Sequence, residues 1–298
     1  MNLINRTGVY LVTAIAVSAL TVGCAVDSYE RGDDVAVKGQ AIINGNVPTA
    51  GGLAGWGVVS LGGCTGTILD NWHVLTAHHC VRAYDDSTGV WGALTTGPVI
   101  IRYEDGGPQQ TAAAAQIFEP ATPWSLNAGD YAILALTVPI KVNDSATGYS
   151  RAIYASSDST LANQDVFCVG YGGTVAATST TFSSGFDTIS SATMKITGTG
   201  SGVLTRPANS SGQVGFGGDS GSSCFLGSAL VGVQSTCSGA TWHDVNGNGV
   251  VDSWWERSAP TSCSGAAPSQ FRTWAATQLA VAVNTNFAYS AALAGGVI

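Results

Sequence analysis

Short apolar runs of strand length, each bounded by turn-forming residues, constrain the fold more than any other feature of this sequence. From Trp56 onward they read GWGVVSL, GTILDNWHVLTA, GPVIIRY, YAILALTV, VFCVGYGG and ALVGVQS. Gly, Asn and Asp separate the runs, and this punctuation favours strands joined by tight turns. Charged residues make up only 10% of the chain, which leaves little material for long amphipathic helices. The pattern therefore predicts an all-β fold.

Two segments depart from this pattern. A Ser/Thr/Gly-rich stretch at about residues 174–212 has few large apolar residues, so it predicts long surface loops with short strands and no separate domain. After Pro268 and Ser269, the segment FRTWAATQLAVAV has apolar residues at helical spacing behind a possible cap. It predicts one helix near the C-terminal end.

The charge balance bears on the class of partner. The formal net charge is −8, and 11 Lys and Arg residues are spread along the chain without a cluster. Binding to phosphate backbones needs clustered positive charge. We therefore expect no nucleic-acid partner.

The N-terminal segment has the features of an export signal. Arg6 precedes an apolar run, Val9–Val22, that is too short to span a bilayer, and Gly23 and Cys24 follow. Leu20–Cys24 resembles the lipobox of bacterial lipoproteins, which would make Cys24 an acylated first residue; ordinary cleavage near small residues is the alternative. Polar residues 25–41 resemble a linker or propeptide. The predicted organisation is a signal at 1–24, a propeptide or linker at 25–41, and one domain at 42–298.

The cysteine count agrees with export. The chain has seven cysteines, so setting Cys24 aside leaves an even number in a protein bound for an oxidising compartment. Disulfides are expected among them. Counting alone leaves their pairing open.

Three sequence blocks carry residues suited to amide hydrolysis, which needs a nucleophile, a base, a group that orients the base and donors for the oxyanion. Gly217–Gly221 reads GGDSG around Ser220, Val74–Cys80 reads VLTAHHC, and Asp130–Leu136 reads DYAILAL. Each block alone is as well explained by a surface turn, a structural histidine or the start of a strand.

Taken together, the blocks resemble the trypsin and chymotrypsin family in both order and local sequence. They follow the family's His, Asp, Ser order and its Thr-Ala-Ala-His-Cys, Asp-Ile-Ala-Leu-Leu and Gly-Asp-Ser-Gly-Gly motifs. The likeness runs from Ile42 to Trp274. It implies two packed six-stranded antiparallel β-barrels with a C-terminal helix, and a secreted serine endopeptidase, monomeric, that acts on proteins or peptides without a cofactor.

The resemblance also assigns catalytic roles. Ser220 would be the nucleophile, His79 the base and Asp130 the partner that orients the imidazole. The backbone N–H groups of Gly218 and Ser220 would form the oxyanion hole. His79 is preferred to His78 because the family histidine directly precedes the cysteine.

Other roles follow from the same likeness. Ser235 would bond the aspartate and begin the strand that pairs with substrate. A new N-terminus at Ile42 would pair with the Asp219 carboxylate, although Gln40 and Ala41 offer no trypsin-like cleavage site before it. The implied disulfides are Cys64 with Cys80, Cys168 with Cys224, and Cys237 with Cys263.

The primary specificity pocket is expected to be uncharged. In the family the position six residues before the nucleophile lies at its base, and here that residue is Val214, followed by Gly215 and Phe216. The three residues provide no carboxylate for a Lys or Arg substrate. The sequence thus predicts a preference for apolar or small side chains.

The loop from Asp244 to Asp252 has no counterpart in the common family pattern. Its alternating oxygen side chains, with glycine at the sixth position, resemble the start of an EF-hand loop, so a structural calcium is predicted. The ligands would be Asp244, Asn246, Asn248, the Val250 carbonyl and Asp252. An Asn-Gly turn is the simpler alternative for the loop. The functional alternative is a catalytically silent homologue that acts as a calcium-stabilised surface binding module.

Overall fold

Two six-stranded antiparallel sheets dominate the computed structural model of the full chain. The structure describes residues 42–47, 56–85, 90–94, 99–103, 109–120, 125–249 and 256–280. Their strands, in chain order, are β1 Val58–Ser60, β2 Thr65–Asp70, β3 His73–Thr76, β4 Arg82–Asp85, β5 Val90–Leu94, β6 Ile100–Tyr103, β7 Gln110–Phe118, β8 Ala132–Leu136, β9 Asp165–Gly170, β10 Ser190–Lys195, β11 Val203–Pro207, β12 Ser223–Leu226, β13 Ala229–Ser238 and β14 Ser262–Ala266.

The first sheet is a closed barrel with strand order β1-β2-β3-β8-β7-β6. Pairing of Ser60 with Arg102 joins β1 to β6 and closes it. The interior is apolar and includes Val59, Ile68 and Leu134, none of which is exposed. Strands β4 and β5 form a separate two-stranded sheet.

The second sheet has the order β10-β9-β12-β13-β14-β11 and is antiparallel at every pairing. Its edge strands, β10 and β11, are not hydrogen-bonded to each other within the described residues. With the helix, this arrangement confirms the predicted chymotrypsin-like fold. The polar 174–212 stretch supplies β10 and β11 as well as loops.

A single apolar cluster is shared by both sheets. Leu75 and Ile133 enter it from the first barrel, and Phe225 and Val233 enter it from the second sheet. All four are at most 1% exposed, and burying a side chain of this kind stabilises the folded state by about 1.5–3 kcal/mol. The shared core fixes the ends of β3, β8 and β12 relative to one another.

The predicted helix spans described residues 268–280 and begins earlier than the FRTWAATQLAVAV segment. Pro268 starts it, because proline's fixed φ suits the first helical turn, where its missing N–H is not needed. Phe271 and Trp274 pack against Tyr131, with ring centroids 5.8 and 5.1 Å away. No described helix is both long and apolar enough to cross a membrane.

Candidate active site

His79 lies just beyond the end of β3, where the chain turns into a 3₁₀ helix, His78–Val81. Its Nδ1 is 2.6 Å from Asp130 Oδ2, and its backbone N–H donates to Asp130 Oδ1 at 2.9 Å. The His79 side chain is 12% exposed, while Asp130 is fully buried. A carboxylate only accepts hydrogen bonds, so this pair puts the proton on Nδ1 and the lone pair on Nε2.

Asp130 lies two residues before β8, and two groups besides the His79 imidazole bond its carboxylate. They are the backbone N–H of His79 and the hydroxyl of Ser235, which donates to Oδ2. Ser235 Oγ in turn accepts the N–H of Asn127 at 2.9 Å. Burial alone would raise the pKa of Asp130, but the hydrogen bonds and the charge of His79 outweigh it and lower the pKa. The carboxylate is therefore ionised when it orients the imidazole.

Backbone contacts hold Ser220 close to the His79 imidazole. Its carbonyl accepts the N–H of Thr65 at 2.8 Å and lies 3.5 Å from Cys80 Sγ. A ring nitrogen of His79 lies within 4.8 Å of the sulfurs of Cys64 and Cys80. The disulfide thus packs between the serine loop and the imidazole. Its sulfurs are bonded to each other, so they are not thiolate ligands for a metal.

The loop around Ser220 requires glycine at two positions. Gly218 has φ +93°, and a Cβ there would lie 2.8 Å from Gly172 Cα. Gly221 has φ +82°, and its Cβ would lie 2.2 Å from the Thr65 carbonyl oxygen. Among the described contacts, the N–H groups of Gly218 and Ser220 donate to no protein acceptor. Both donors remain for a substrate oxygen.

The second histidine has a different partner. His78 is 1% exposed, and its Nε2 lies 2.8 Å from Glu119 Oε2. Burial lowers the pKa of His78, although the hydrogen bond to Glu119 opposes the shift. Glu119 also lies 3.6 Å from the Arg82 guanidinium. His78 is therefore part of a polar cluster separate from the Asp130 carboxylate.

The six cysteines of the described chain form three disulfides, and these are the pairs that the family resemblance implies. They are Cys64–Cys80, Cys168–Cys224 and Cys237–Cys263, with S–S distances of 2.04, 1.95 and 2.01 Å. The second links β9 to β12, and the third links β13 to β14. Cys24, the predicted lipidation site, lies outside the described residues.

Ile42 and Asp219 are both buried, and the hydrogen bonds of the described residues give them different partners. The Ile42 N–H donates to Ser190 Oγ at 2.8 Å. Asp219 instead accepts the N–H groups of Gly172 and Phe216, each at 2.9 Å. Burial raises the pKa of Asp219 to about 7, against the opposing effect of these bonds and of Arg206.

The predicted pocket residues have different surroundings. Val214 and Phe216 are buried in an apolar cluster with Ile43. Gly215 packs against Gln234, since a Cβ on Gly215 would lie 2.4 Å from Gln234 Nε2. Ser235 contacts Asp130, as the resemblance implies.

Sequence reasoning missed two residues of this region, Gln234 and Arg206. Arg206 is 1% exposed, and its Nη2 donates to Gln234 Oε1 at 3.3 Å. A signal for it exists in the alternating segment VLTRP, which places an arginine on the same strand face as Leu204. A charged side chain on a buried strand face needs a polar partner.

The Asp244 loop is described in part. Asp244 Oδ2 accepts the N–H of Gly249 at 3.0 Å, and Asn246 Oδ1 accepts that of Asn248 at 2.9 Å. Glu256 Oε1 accepts the N–H of Asn246 at 3.2 Å, while its buried Oε2 has no hydrogen-bond partner among the described residues. Val250 and Asp252, the other predicted ligands, lie outside the described residues. The candidate ligand atoms in the described part of the loop are all oxygens, which are the ligands that calcium takes in proteins.

Two packed six-stranded β-sheets, with an Asp-His pair and a glycine-flanked serine between them, define the fold class of chymotrypsin-like serine proteases. The family model described as Trypsin matches residues 42–247. The chain therefore belongs to the trypsin family.

The solved structures include one whose likeness supports the same fold. Neuropsin, a serine protease expressed in the limbic system of mouse brain, aligns with a TM-score of 0.59 and 16% identity, over 80% of this chain and 100% of that chain. At this identity the likeness concerns the fold alone. No curated protein matches the sequence.

Proposed function

We propose that the protein is an exported serine endopeptidase that cleaves proteins or peptides through an acyl-enzyme. One observation carries the proposal: the buried Asp130 carboxylate bonds His79 Nδ1 at 2.6 Å, beside the Ser220 loop. This arrangement leaves Nε2 as the base and Ser220 Oγ as the nucleophile.

The reaction follows from these positions. His79 Nε2 takes the hydroxyl proton as Ser220 Oγ bonds to the scissile carbonyl carbon, and the carbonyl oxygen becomes an oxyanion. The N–H groups of Gly218 and Ser220 donate to that oxyanion, and Asp130 stabilises the imidazolium. The imidazolium then gives its proton to the leaving amine, which forms the acyl-serine. Water, deprotonated by the same imidazole, attacks the ester and releases the acid and Ser220.

Export is supported by the three disulfides, because such bonds persist in oxidising compartments. The export signal at residues 1–24, with Cys24 as a lipid attachment site, remains a prediction.

Cleavage before Ile42 is proposed as the activating step. It would convert the Ile42 N–H into an ammonium that leaves Ser190 Oγ and pairs with the buried Asp219 carboxylate. Burial keeps the pKa of Asp219 high at about 7, so a charge partner would favour its ionised form. Cleavage would also remove an acylated Cys24 with the propeptide.

Fluorophosphonate labelling followed by mass spectrometry tests the function and the processing together. We expect one phosphonate per chain, located on Ser220, in a species whose N-terminus is Ile42. Heat-unfolded protein is the control and should stay unlabelled. No labelling of the processed, folded chain would contradict the hydrolase proposal and favour a silent homologue. Equal labelling rates for processed and unprocessed chains would contradict only the activation step.

The calcium site in the Asp244 loop remains a prediction, now supported by the buried oxygen Glu256 Oε2. Calcium at about 100 times its Kd should stabilise the fold by about 2.7 kcal/mol, which raises Tm by roughly 5–10 °C. Calorimetry with calcium and with a chelator measures the shift. Asp244→Ala should abolish it, whereas Asp165→Ala, at an exposed ion pair elsewhere, should not. An unchanged Tm with no bound calcium would leave a simple turn.

A further inference from the structure

Arg206 is a buried cation that the proposed mechanism does not use. It lies on β11 with its side chain 1% exposed, and none of the ion pairs of the described residues includes it. Its Nε and Nη1 atoms are buried and have no hydrogen-bond partner there. Burying a charged group with unsatisfied hydrogen-bond donors costs folding free energy. The buried Arg206 guanidinium therefore points to an anionic group that pairs with it.

The charge of Asp219 acts on Arg206, but the Asp219 carboxylate forms no described hydrogen bond with the guanidinium. Its two carboxylate oxygens are taken by the N–H groups of Gly172 and Phe216. The charge of Arg206 lowers the pKa of Asp219 only in part, because burial still raises it to about 7. Burial lowers the pKa of Arg206 to about 10, so the guanidinium is still protonated at neutral pH.

Gln234 connects Arg206 to the nucleophile loop. Its backbone carbonyl accepts the N–H of Gly221 at 2.8 Å, and its N–H donates to Ser222 at 2.8 Å. The next residue, Ser235, bonds Asp130. Gln234 is therefore tied to the residues directly after Ser220 and, through the chain, to Ser235, which bonds the Asp130 carboxylate.

Arg206 also fixes the orientation of the Gln234 carboxamide. Arginine has only donors, so the oxygen Oε1 must face it, at 3.3 Å from Nη2. The carboxamide faces Gly215, where a Cβ would lie 2.4 Å from Nε2 and 2.6 Å from Oε1. One N–H of Nε2 donates to Cys237 Sγ at 3.7 Å, and the other N–H remains for a further acceptor. Gly215 is one of the predicted pocket residues. The Gln234 amide group, which includes the Nε2 donor, therefore borders the space beside Gly215. The Arg206 guanidinium lies on the other side of that amide.

We infer that Gln234 and Arg206 form a cationic floor of the primary pocket and select peptide substrates with an acidic side chain, glutamate above all, before the scissile bond. This inference rests on the proposed endopeptidase activity. A substrate carboxylate would accept from Gln234 Nε2 and neutralise the guanidinium charge. Glutamate reaches further than aspartate toward Arg206, which lies behind Gln234. An acidic preference replaces the apolar preference expected from Val214, Gly215 and Phe216 alone.

Paired fluorogenic peptides that differ only at this substrate position test the inference. With the mature protein, kcat/KM for a glutamate peptide should exceed that for its glutamine isostere by about 10²-fold, since a polar site discriminates strongly against a substrate that lacks its charged partner. In Arg206→Met the ratio should fall to within about threefold. A leucine peptide, measured with both proteins, reports any general loss of activity that is unrelated to substrate charge. Lys195→Met, which removes one exposed positive charge on β10, is the matched control and should keep the ratio.

A second variant guards against misfolding of Arg206→Met. Gln234→Glu places a carboxylate beside the guanidinium, so the buried charge is paired and the glutamate preference should also be lost. Fluorophosphonate labelling of each variant shows whether the hydrolase site is intact. A wild-type preference for leucine or arginine, with labelling intact, overturns the acidic preference alone. An equal fall in kcat/KM for every peptide in Arg206→Met also overturns the acidic preference. Arg206 would then act on Asp219 and not on the substrate. Absent labelling and absent cleavage of all peptides would instead remove the proposed function.

Discussion

Ser220→Ala should lower the turnover number on any cleaved peptide by about 10⁶-fold, because in the proposed mechanism the Asp130, His79 and Ser220 side chains act as one unit. The substitution removes a single hydroxyl and leaves the loop's glycines in place. Ser220 is fixed by its backbone carbonyl, which bonds the N–H of Thr65. The fold should therefore be unchanged, with Tm within a few degrees of wild type, and residual hydrolysis should reflect the oxyanion donors alone.

Ser228→Ala is the matched control, because Ser228 lies in the exposed turn between β12 and β13. It should keep full activity. Steady-state kinetics with active-site titration measures both variants. A Ser220→Ala protein that retains activity within tenfold of wild type, in a preparation free of other proteases, would remove Ser220 from the mechanism.

His79→Ala should cost about as much as the loss of Ser220, since no other imidazole bonds Asp130 in the described structure. His78→Ala, one residue earlier, should retain activity within about tenfold because its Nε2 bonds Glu119. Because His78 is buried, His78→Ala should lower the thermal stability of the fold much more than it lowers kcat. Thermal unfolding measured beside kcat separates the two effects.

The opposite pattern, full activity in His79→Ala and none in His78→Ala, would move the base to His78. Loss of activity in both variants with both folded would mean that the Glu119 cluster positions the 3₁₀ turn. His78→Gln, whose amide nitrogen can donate to Glu119 as the imidazole Nε2 does, would then be expected to keep part of the activity that His78→Ala loses.

Local sequence is enough to predict most of the strands, whereas each of the blocks around His79, Asp130 and Ser220 taken alone has an equally good structural explanation. The runs YAILALTV and VFCVGYGG became β8 and β9 because alternating and continuous apolar residues suit strands buried on one or both faces. The Asp130 and Ser220 blocks were found because small residues, turns and strand starts are local features. Only the family resemblance predicts that these blocks meet across the shared core.

Other elements could not be predicted locally. Strand β7 contains QTAAAAQIF, and alanine has little preference for strands, so this segment is fixed by pairing with β6 and β8. The burial of Arg206 depends on the register of β11 against β14, where Arg206 pairs with Cys263. The orientation of Gln234 depends in turn on Arg206. Such contacts are set by tertiary packing and leave no short motif.

The division of the site between two sheets has a consequence for biosynthesis. Asp130 lies 51 residues from His79 and 105 residues from Ser235, so the groups that bond it come from distant parts of the chain. Contacts of such long range form late and slowly in folding. Until the second sheet has docked, a nascent chain has neither an oriented imidazole nor a positioned nucleophile. Delayed assembly would then protect the chain and its cell from self-inflicted proteolysis during synthesis, independently of any propeptide.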